Sequence, residues 1–416
     1  MNVVRAVFWA STVTLGWVYA GYPLLALLAS RVRPFRLRAT DPPPALVTVG
    51  IPARDEAAKL PGRIADILAQ EVPFEIEVVV GSDGSTDHTA SVVEAIGRGD
   101  PRVRVLALPE QGTAATQAAI FAAARGPIVV LTDAETRFAP GCLAALVRPF
   151  TDPRVGCTTG HLEWFYEATT GTARQEGAYW RYELAVRDVE SRAGWLTAAT
   201  GALLAVRRDR LRPSPSHVAL DLLLPLLVRD QGLIVLAVPE ARALDRGSSD
   251  ERDQFRSRAR IATRGIQTSL SMVHRLTPWR RPSAFLAVWS HKLLRWMTPW
   301  LGLAALGSSA ALAVSGRVAY LVPALGGLTV LVSGALGYAA RRRGIRLPFT
   351  SFPVAVCVVN AAFAVGWLNL LRRRRVPSWR RGGDGRGVGV MAASSDRVSA
   401  PPVRSGRHTS GAWRRC

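Results

Sequence analysis

Three acidic clusters in the first third of the chain could hold a divalent cation and a phosphorylated ligand. Asp133 and Glu135 are two residues apart, so both carboxylates point the same way if this segment is extended. The other two clusters are PARDE (52–56) and SDGSTD (82–87). Carboxylate oxygens are hard ligands that suit Mg²⁺ or Mn²⁺. A cation held this way would neutralise a diphosphate and stabilise the charge that develops as it leaves.

The elements that must position these clusters alternate between strands and helices. Apolar, β-rich runs predict strands at 45–51, 75–81, 103–108 and 127–133, with helical patterns between them. This alternation is typical of an α/β domain with parallel strands and right-handed crossovers. Ligands of such sheets bind beyond the carboxyl ends of the strands, where the three clusters fall. We therefore expect the acidic side chains to converge on one edge and to line a nucleotide pocket.

Composition places this domain beside a membrane. Lys and Arg number 53 against 31 Asp and Glu, so the formal net charge is +22, and 49% of the residues are hydrophobic. High charge together with a mean hydropathy of +0.14 favours a membrane protein with basic flanks, and we expect no nucleic-acid partner. A wholly disordered chain is excluded, since so much apolar material needs burial. The four cysteines are scattered along the chain, and this spacing argues against both a disulfide framework and a cysteine-rich zinc site.

Four apolar runs predict membrane helices. Residues 6–30 carry no charge and are long enough to cross the bilayer. Arginines follow this run more than they precede it, which predicts an uncleaved anchor with its N-terminus outside; a cleaved signal peptide would show the opposite pattern. The other runs are 297–315, 318–340 and 350–371. The segment 284–296 reads as an amphipathic helix that lies at the interface or leads into the membrane.

The predicted organisation has four parts. They are a transmembrane anchor (1–40), an α/β domain (41–275), an interfacial helix with C-terminal transmembrane helices (276–375) and a basic, disordered tail (376–416). We expect a multi-pass membrane protein with its α/β domain in the cytoplasm. The tail would be attracted to anionic lipid, and RNA binding is the weaker alternative because no aromatic residues interleave its arginines.

The charges on either side of the last apolar run do not determine whether that run crosses the membrane. Arg341–Arg343 and Arg372–Arg375 are both basic, yet a single predicted helix separates them. Both runs cannot be cytoplasmic if 350–371 crosses the membrane once. Either this run is interfacial or re-entrant, or the charge rule fails here.

The motifs together resemble a known family. IPARDE (51–56), VVVGSDGSTDHT (78–89) and VVLTDAET (129–136) occur in this order, followed by YWRYE (179–183), TGALLAVRR (200–208) and LDLLLPLLVRDQG (220–232). This pattern is similar to membrane-bound family 2 glycosyltransferases with the GT-A fold, such as cellulose, chitin, hyaluronan and poly-N-acetylglucosamine synthases. The resemblance implies a Rossmann-like, mostly parallel sheet flanked by transmembrane helices.

The resemblance also implies an activity and its residues. It implies inverting, metal-dependent transfer from a nucleotide-diphosphate sugar, expected to be a UDP-sugar, to a lipid-linked or polysaccharide acceptor in cell-envelope synthesis. The general base would be Asp221, and Mg²⁺ or Mn²⁺ would bind Asp133 and Glu135. The donor would contact Pro52, Asp55, Glu56, Asp83 and Asp133.

A basic helical segment stands where processive members carry Q-x-x-R-W. It spans residues 253–265 and contains Gln254, Arg258 and Arg260. These side chains could cover the pocket and meet the diphosphate, or the helix could lie on anionic lipid. Trp180 could stack on a sugar ring of the acceptor, with packing in the core as the alternative, and Trp164 and Tyr179 pose the same choice.

Departures from the family pattern motivate two further hypotheses. Thr113 occupies the place of a family lysine near the donor, and Leu220 that of the first acid in an E-D pair. One alternative is a polyprenyl-phosphate sugar synthase, which shares the catalytic domain but makes a single-sugar lipid. The other is a non-catalytic scaffold subunit of a polysaccharide assembly complex. The expected partners are a nucleotide-sugar donor, a glycan or lipid-linked acceptor and membrane lipids.

Overall fold

The structure, a computed structural model, describes residues 1–165, 171–210, 219–246, 251–345 and 347–374. Within these residues one sheet of eight strands has the order β3-β2-β1-β4-β7-β6-β8-β5. Its strands are β1 (Leu46–Ala53), β2 (Glu75–Asp83), β3 (Val103–Leu108), β4 (Ile128–Leu131), β5 (Arg137–Phe138), β6 (Val155–Phe165), β7 (Leu204–Arg207) and β8 (Ile234–Arg246).

The first four strands confirm the predicted α/β arrangement. β1 pairs in parallel with β2 on one side and with β4 on the other, so that Val49 lies opposite both Val78 and Val130. β3 continues the sheet in parallel beyond β2. The central strands are almost entirely buried, which explains why their sequences are continuously apolar instead of alternating.

The other half of the sheet contains both parallel and antiparallel pairs, and its strands β5 to β8 were not among those predicted from the sequence. β4 and β6 both pair antiparallel with β7, β6 runs parallel to β8, and β5 is antiparallel to β8. The pairing of β5 with β8 places Arg137 opposite Leu244. β5 has only two residues and β7 only four, too few to show a periodic pattern in the sequence.

Helices cover both faces of the sheet and also form the apolar segments that flank the sheet in the sequence. They are α1 (Asn2–Gly16), α2 (Tyr22–Val32), α3 (Leu60–Leu68), α4 (Thr89–Gly99), α5 (Thr113–Ala123), α6 (Cys142–Val147), α7 (Gly171–Arg192), α8 (Leu220–Asp230), α9 (Glu251–Met272), α10 (Pro282–Ala287), α11 (Leu294–Trp296), α12 (Thr298–Val314), α13 (Leu321–Arg341) and α14 (Ser351–Leu371). Short π-helical turns at Trp17–Gly21 and Val288–Leu293 join α1 to α2 and α10 to α11.

Two apolar cores lie on opposite sides of the sheet. Successive residues of β4 alternate between them: Ile128 and Val130 belong to the core with α3 and α6, and Val129 and Leu131 to the core with α8 and α9. The second core also includes Phe363 of α14, so this apolar helix packs directly on the α/β domain.

Three described helices are long and apolar enough to cross a membrane: Asn2–Val32, Val318–Arg341 and Ser351–Leu371. The pair Pro282–Trp296 and Thr298–Val314 reaches this criterion only together and bends by 61° between its two parts. All four predicted apolar runs are thus helical. Arg375 and the predicted tail 376–416 lie outside the described residues.

Contacts at both ends of α14 locate the two arginine runs relative to other elements. Nη2 of Arg341 donates to Oγ of Ser351 at 3.0 Å, at the start of α14. At its other end, the carbonyl of Arg374 accepts from Nε2 of Gln267 on α9 at 3.4 Å. The second arginine run therefore begins beside the α/β domain.

Candidate functional site

The turn after β4 carries the first predicted pair of site residues. The amide of Thr132 donates to the carbonyl of Gly50 at 3.1 Å, which holds the end of β4 against β1. Asp133 follows and is half-buried, whereas the side chain of Glu135 is about half exposed. Nζ of Lys59 lies 3.2 Å from Glu135 and 2.9 Å from Glu56, so a lysine bridges two predicted site carboxylates. Despite partial burial, these two carboxylates raise the pKa of Lys59.

Asp133 stands at the centre of a carboxylate group. Burial raises its pKa to about 7, and the negative charges of Asp245, Glu135 and Asp221 add to this effect. The charge of Arg63 opposes it. Asp133, Glu135 and Asp221, predicted from distant parts of the sequence, are therefore close enough in space to interact. Asp245 at the end of β8 joins them because its neighbour Leu244 pairs with β5, just after the turn.

Asp221 lies in the first turn of α8, at the edge of the same group. Its carbonyl accepts from the amide of Ala199 at 3.0 Å. A Cβ atom built on Gly201 would lie 3.7 Å from Oδ2 of Asp221, so the loop before β7 passes directly beside the carboxylate. From the other side, α9 brings Arg264: burial lowers the pKa of this guanidinium, and the charge of Asp221 works against that.

Asp83 ends β2 and shapes the neighbouring part of the edge. Its carboxylate is buried and accepts from the amides of Gln111 and Gly112, at 2.8 and 2.9 Å. The next residue, Gly84, has φ of +61°, and a Cβ there would lie 2.7 Å from the amide nitrogen of Glu110. Only glycine suits this close turn. The contact brings the loop before α5 against the end of β2.

The cluster after β1 is organised by hydrogen bonds to the β2–α4 loop. Pro52 is buried and lies opposite Gly81 in the parallel register. Asp55 has φ of +55°, and its Oδ1 accepts from the amide of Thr86 at 2.7 Å. The amide of Glu56 donates to Oγ1 of Thr89 at 2.9 Å. The first two predicted clusters therefore form one continuous surface.

Arg54 completes this surface. It makes a bidentate pair with Glu110, whose hydrogen bond raises the pKa of the guanidinium, and the charges of Asp55 and Asp83 act in the same direction. The guanidinium of Arg54 thus lies close enough to Asp55 and to Asp83 to interact with both carboxylates.

The remaining predicted contacts have varied surroundings. Arg258 and Arg260 on α9 are half-buried. Trp180 is half-buried and packs against the apolar core, and its Nε1 donates to the carbonyl of Leu162 at 2.9 Å. This agrees with the core-packing alternative for Trp180. The side chains of Gln254, Trp164 and Tyr179 lie outside the described residues.

The carboxylate group suits a divalent cation that also binds a substrate phosphate. Among the described residues, no three His, Cys, Asp or Glu side chains are placed to hold a metal ion by themselves. Mg²⁺ is usually bound by one or two carboxylates together with substrate phosphates and water, and Asp133 with Glu135 matches that pattern. The surplus of negative charge around Asp133 is the feature of this structure that a cation would relieve.

Four residues near the site were missed by the sequence analysis: Lys59, Arg63, Asp245 and Arg264. Arg260 and Arg264 are four residues apart and share a helix face, which is a signal that could have extended the predicted basic set. Arg63 is fully buried, and burial lowers its pKa to about 10. Nothing in the local sequence around Asp245 distinguishes it from an ordinary strand end.

Comparison with known proteins identifies the family to which the domain belongs. Residues 48–212 match the family described as glycosyl transferase family 2. An N-acetylglucosaminyltransferase of Mesorhizobium japonicum is 28% identical over 261 residues, which cover 56% of this chain and 61% of that protein. One of Sinorhizobium fredii is 27% identical over 216 residues, covering 48% and 52%. The chain thus spans about half to three fifths of these curated relatives.

A solved structure shares the fold over most of the chain. A mannosyltransferase of Pyrobaculum calidifontis, solved in complex with GDP-Man and Mn²⁺, superposes with a TM-score of 0.65 at 22% sequence identity. The match covers 88% of this chain and 99% of that one. The GT-A fold, a Rossmann-like α/β arrangement with a mixed sheet, is therefore confirmed, with apolar helices at both ends of the domain.

Proposed function

We propose, from the premise that the chain carries a glycosyltransferase family 2 domain at residues 48–212, that it transfers a sugar from a nucleotide-diphosphate sugar to a membrane-associated acceptor. The observation that carries the proposal is that Asp221 of α8 lies near the turn that bears Asp133 and Glu135, close enough for its charge to act on Asp133. Grouping these like charges around Asp133 is unfavourable unless a cation or ligand joins them.

Asp221 is the residue proposed to act as general base. It lies beside the loop at Gly201 and faces the carboxylate group from α8, so an acceptor hydroxyl that enters over this loop can donate its proton to Asp221. The oxygen then attacks the anomeric carbon from the face opposite the departing diphosphate, which inverts the configuration at that carbon. Arg264 neighbours Asp221 and keeps a positive charge close to the reacting groups.

Asp133 and Glu135 are proposed to hold Mg²⁺ or Mn²⁺ together with the donor. When bound, such an ion neutralises the diphosphate and stabilises it as a leaving group. Glu135 would then exchange its contact with Lys59 for the cation, and Lys59 would keep its pair with Glu56. The mannosyltransferase with the same fold was solved with Mn²⁺, which supports testing this ion first.

The donor's nucleoside is proposed to lie on the surface formed by Pro52, Asp55, Glu56 and Asp83. The hydrogen bonds that the amides of Thr86 and Gly112 donate to Asp55 and Asp83 fix the loops of this surface before any ligand binds. Arg258 and Arg260, on the helix that also carries Arg264, are proposed to meet the diphosphate. Because relatives are named N-acetylglucosaminyltransferases, UDP-N-acetylglucosamine is the first donor to test.

The acceptor is proposed to be a lipid-linked or growing glycan at the inner face of a bacterial membrane. Apolar helices flank the domain on both sides in sequence, and α14 packs into its core, so the site is held near the lipid. One matched relative is a succinoglycan biosynthesis protein of Rhizobium meliloti, 36% identical over 105 residues, which supports a role in polysaccharide assembly. The proposed topology is multi-pass with the catalytic domain in the cytoplasm.

A donor screen tests the proposal. Membranes containing the full chain are incubated with radiolabelled nucleotide sugars and Mn²⁺, and label is counted separately in lipid and polymer fractions. Asp133→Asn and Asp221→Asn should each remove nearly all transfer. Asp230→Asn, at the opposite end of the same helix as Asp221, is the matched control and should retain activity. Full turnover in either site variant would refute the role assigned to that residue.

The same screen separates the alternative functions. Label that appears only in a single-sugar lipid would favour a polyprenyl-phosphate sugar synthase over transfer to a glycan. Transfer of no sugar, with no binding of UDP or GDP by calorimetry, would favour a scaffold subunit.

A further inference from the structure

One face of α3 contacts the turn between β4 and β5 at three points. Lys59 precedes the helix and pairs with Glu135, Arg63 donates from Nη2 to Oγ1 of Thr132 at 2.7 Å, and Asp66 accepts from the amide of Phe138 at 3.1 Å. Positions 59, 63 and 66 follow the i, i+4, i+7 spacing of a single helix face. This face therefore holds the turn at its start, its middle and its end.

Arg63 is the buried centre of this contact. Its side chain has no exposed surface, and Thr132 is 1% exposed. The guanidinium also forms an ion pair with Asp66 and lies 4.0 Å from the ring centroid of Phe138. Arg63 thus touches Thr132, which precedes Asp133, and Phe138, which follows the turn.

Burial of a complete arginine is unusual, because removing its charge from water is costly unless partners satisfy it. Here Nη1 and Nη2 of Arg63 are satisfied by Asp66 and Thr132, whereas its Nε has no hydrogen-bond partner. An aliphatic residue could fill the same space in a merely structural role. The guanidinium contacts Thr132 and Phe138, at the two ends of the segment that bears Asp133 and Glu135. Its third partner, Asp66, accepts a hydrogen bond from the amide of Phe138.

We propose that Arg63 is a positioning residue, which fixes the turn 132–138 so that Asp133 and Glu135 meet one cation. This inference rests on the proposed function, in which those two carboxylates bind the ion. Residues that orient metal ligands without touching the metal typically contribute about 10- to 100-fold to metal affinity. Because Arg63 lies beneath the turn and not in the pocket, it affects cation binding through Thr132 and Phe138.

Mn²⁺ binding by the purified full chain tests the proposal. Free Mn²⁺ is measured by electron paramagnetic resonance in the presence of UDP or GDP, and the Mn²⁺ bound by the same nucleotide without protein is subtracted, so the readout reports binding by the protein and does not depend on transfer activity. Arg63→Met should weaken Mn²⁺ binding by about tenfold or more. Thr132→Val, which leaves the arginine in place but removes the hydroxyl acceptor, should weaken it in the same direction, and Arg63→Lys should recover part of the loss.

Arg229→Met is the matched control. Arg229 is also a buried arginine with an unpartnered Nε, but it contacts Ser283 and the carbonyl of Leu233, at the end of α8 away from Asp221. It should lower thermal stability and leave Mn²⁺ affinity within about twofold of the wild type.

The outcomes separate this inference from the function on which it rests. Wild-type binding that Asp133→Asn abolishes, with Arg63→Met and Thr132→Val binding as tightly as Arg229→Met, would overturn the positioning role alone. Wild-type protein that binds no Mn²⁺ with either nucleotide would overturn the cation site itself, and the positioning role with it.

Discussion

Glu183 on α7 accepts a hydrogen bond from Nη1 of Arg295 at 2.6 Å, and both side chains are buried. Lys292 and His291 of the same bent helix and Arg187 of α7 each lie 3.1 Å from this carboxylate. Although burial raises the pKa of Glu183, the charges of Lys292, Arg295 and Arg187 hold it well below its usual range. The segment 284–296, predicted as an amphipathic helix that lies at the interface or leads into the membrane, thus directs its charged side chains toward α7.

Glu183→Gln should destabilise the whole protein. The neutral amide removes the negative charge that the buried Arg187, Lys292 and Arg295 share, and breaking a buried ion pair in this way costs on the order of 3–5 kcal/mol. The thermal unfolding midpoint of the full chain in detergent measures the effect. Glu163→Gln is the control, because its pair with Arg242 is 43% and 59% exposed and should contribute little. Equal midpoints for the two variants would contradict the prediction.

Ionised Asp152 should make the free energy of unfolding depend on pH in the acidic range. Its carboxylate is buried, and hydrogen bonds from the Arg154 side chain and the amide of Arg38 lower its pKa to about 2. An unfolded aspartate titrates near ~3.9, so ionised Asp152 stabilises the fold above that pH by roughly 2–3 kcal/mol. This contribution is lost as the pH falls from about 4 to 2.

The difference in unfolding midpoint between wild type and Asp152→Asn measures that contribution across the pH range. It should be large at neutral pH and shrink toward zero near pH ~2. Asp209→Asn, at an exposed pair with Arg210, should show a small difference throughout. A difference for Asp152→Asn that stayed constant down to pH ~2 would exclude the proposed linkage.

Lys59→Met should raise the affinity of the metal-free protein for Mn²⁺. The ammonium competes with a cation for Glu135, and an exposed pair of this kind is worth about 0.2–1 kcal/mol, equivalent to a gain of up to about fivefold. Titration without nucleotide isolates this effect. Arg102→Met, at an exposed pair with Asp100 away from the turn, is the control. Weaker binding by Lys59→Met would show that the lysine supports the cation site instead.

Gly366→Val should separate α14 from α9. A Cβ at Gly366 would lie 3.0 Å from Cβ of Ala262 and 3.2 Å from the amide nitrogen of Thr263, so two more methyl groups cannot fit without moving a helix. Overpacking of this kind costs about 1–3 kcal/mol. Gly302→Val is the control, because a Cβ at Gly302 meets nothing within 4 Å. Protease sensitivity of α9 should rise only in the first variant.

Several features of the protein follow from local sequence alone. The strands at β1, β2 and β4 could be predicted because burial on both faces requires continuous apolar runs, which differ visibly from their surroundings. The ends of those strands then located Asp83 and Asp133, since parallel strands deliver their carboxyl ends to one edge. The apolar helices were likewise visible, because a bilayer sets the length and composition of a spanning segment.

Only the tertiary structure decided which distant groups meet. Asp245 joins Asp133 through the pairing of a two-residue strand, and Arg264 reaches Asp221 through the packing of α9. His291, Lys292 and Arg295 have the spacing of an amphipathic helix, whether lipid headgroups or Glu183 receive their charges. Periodicity reports that a face is polar but carries no information about its partner, because that partner comes from a remote part of the chain and is selected by packing of the complete fold.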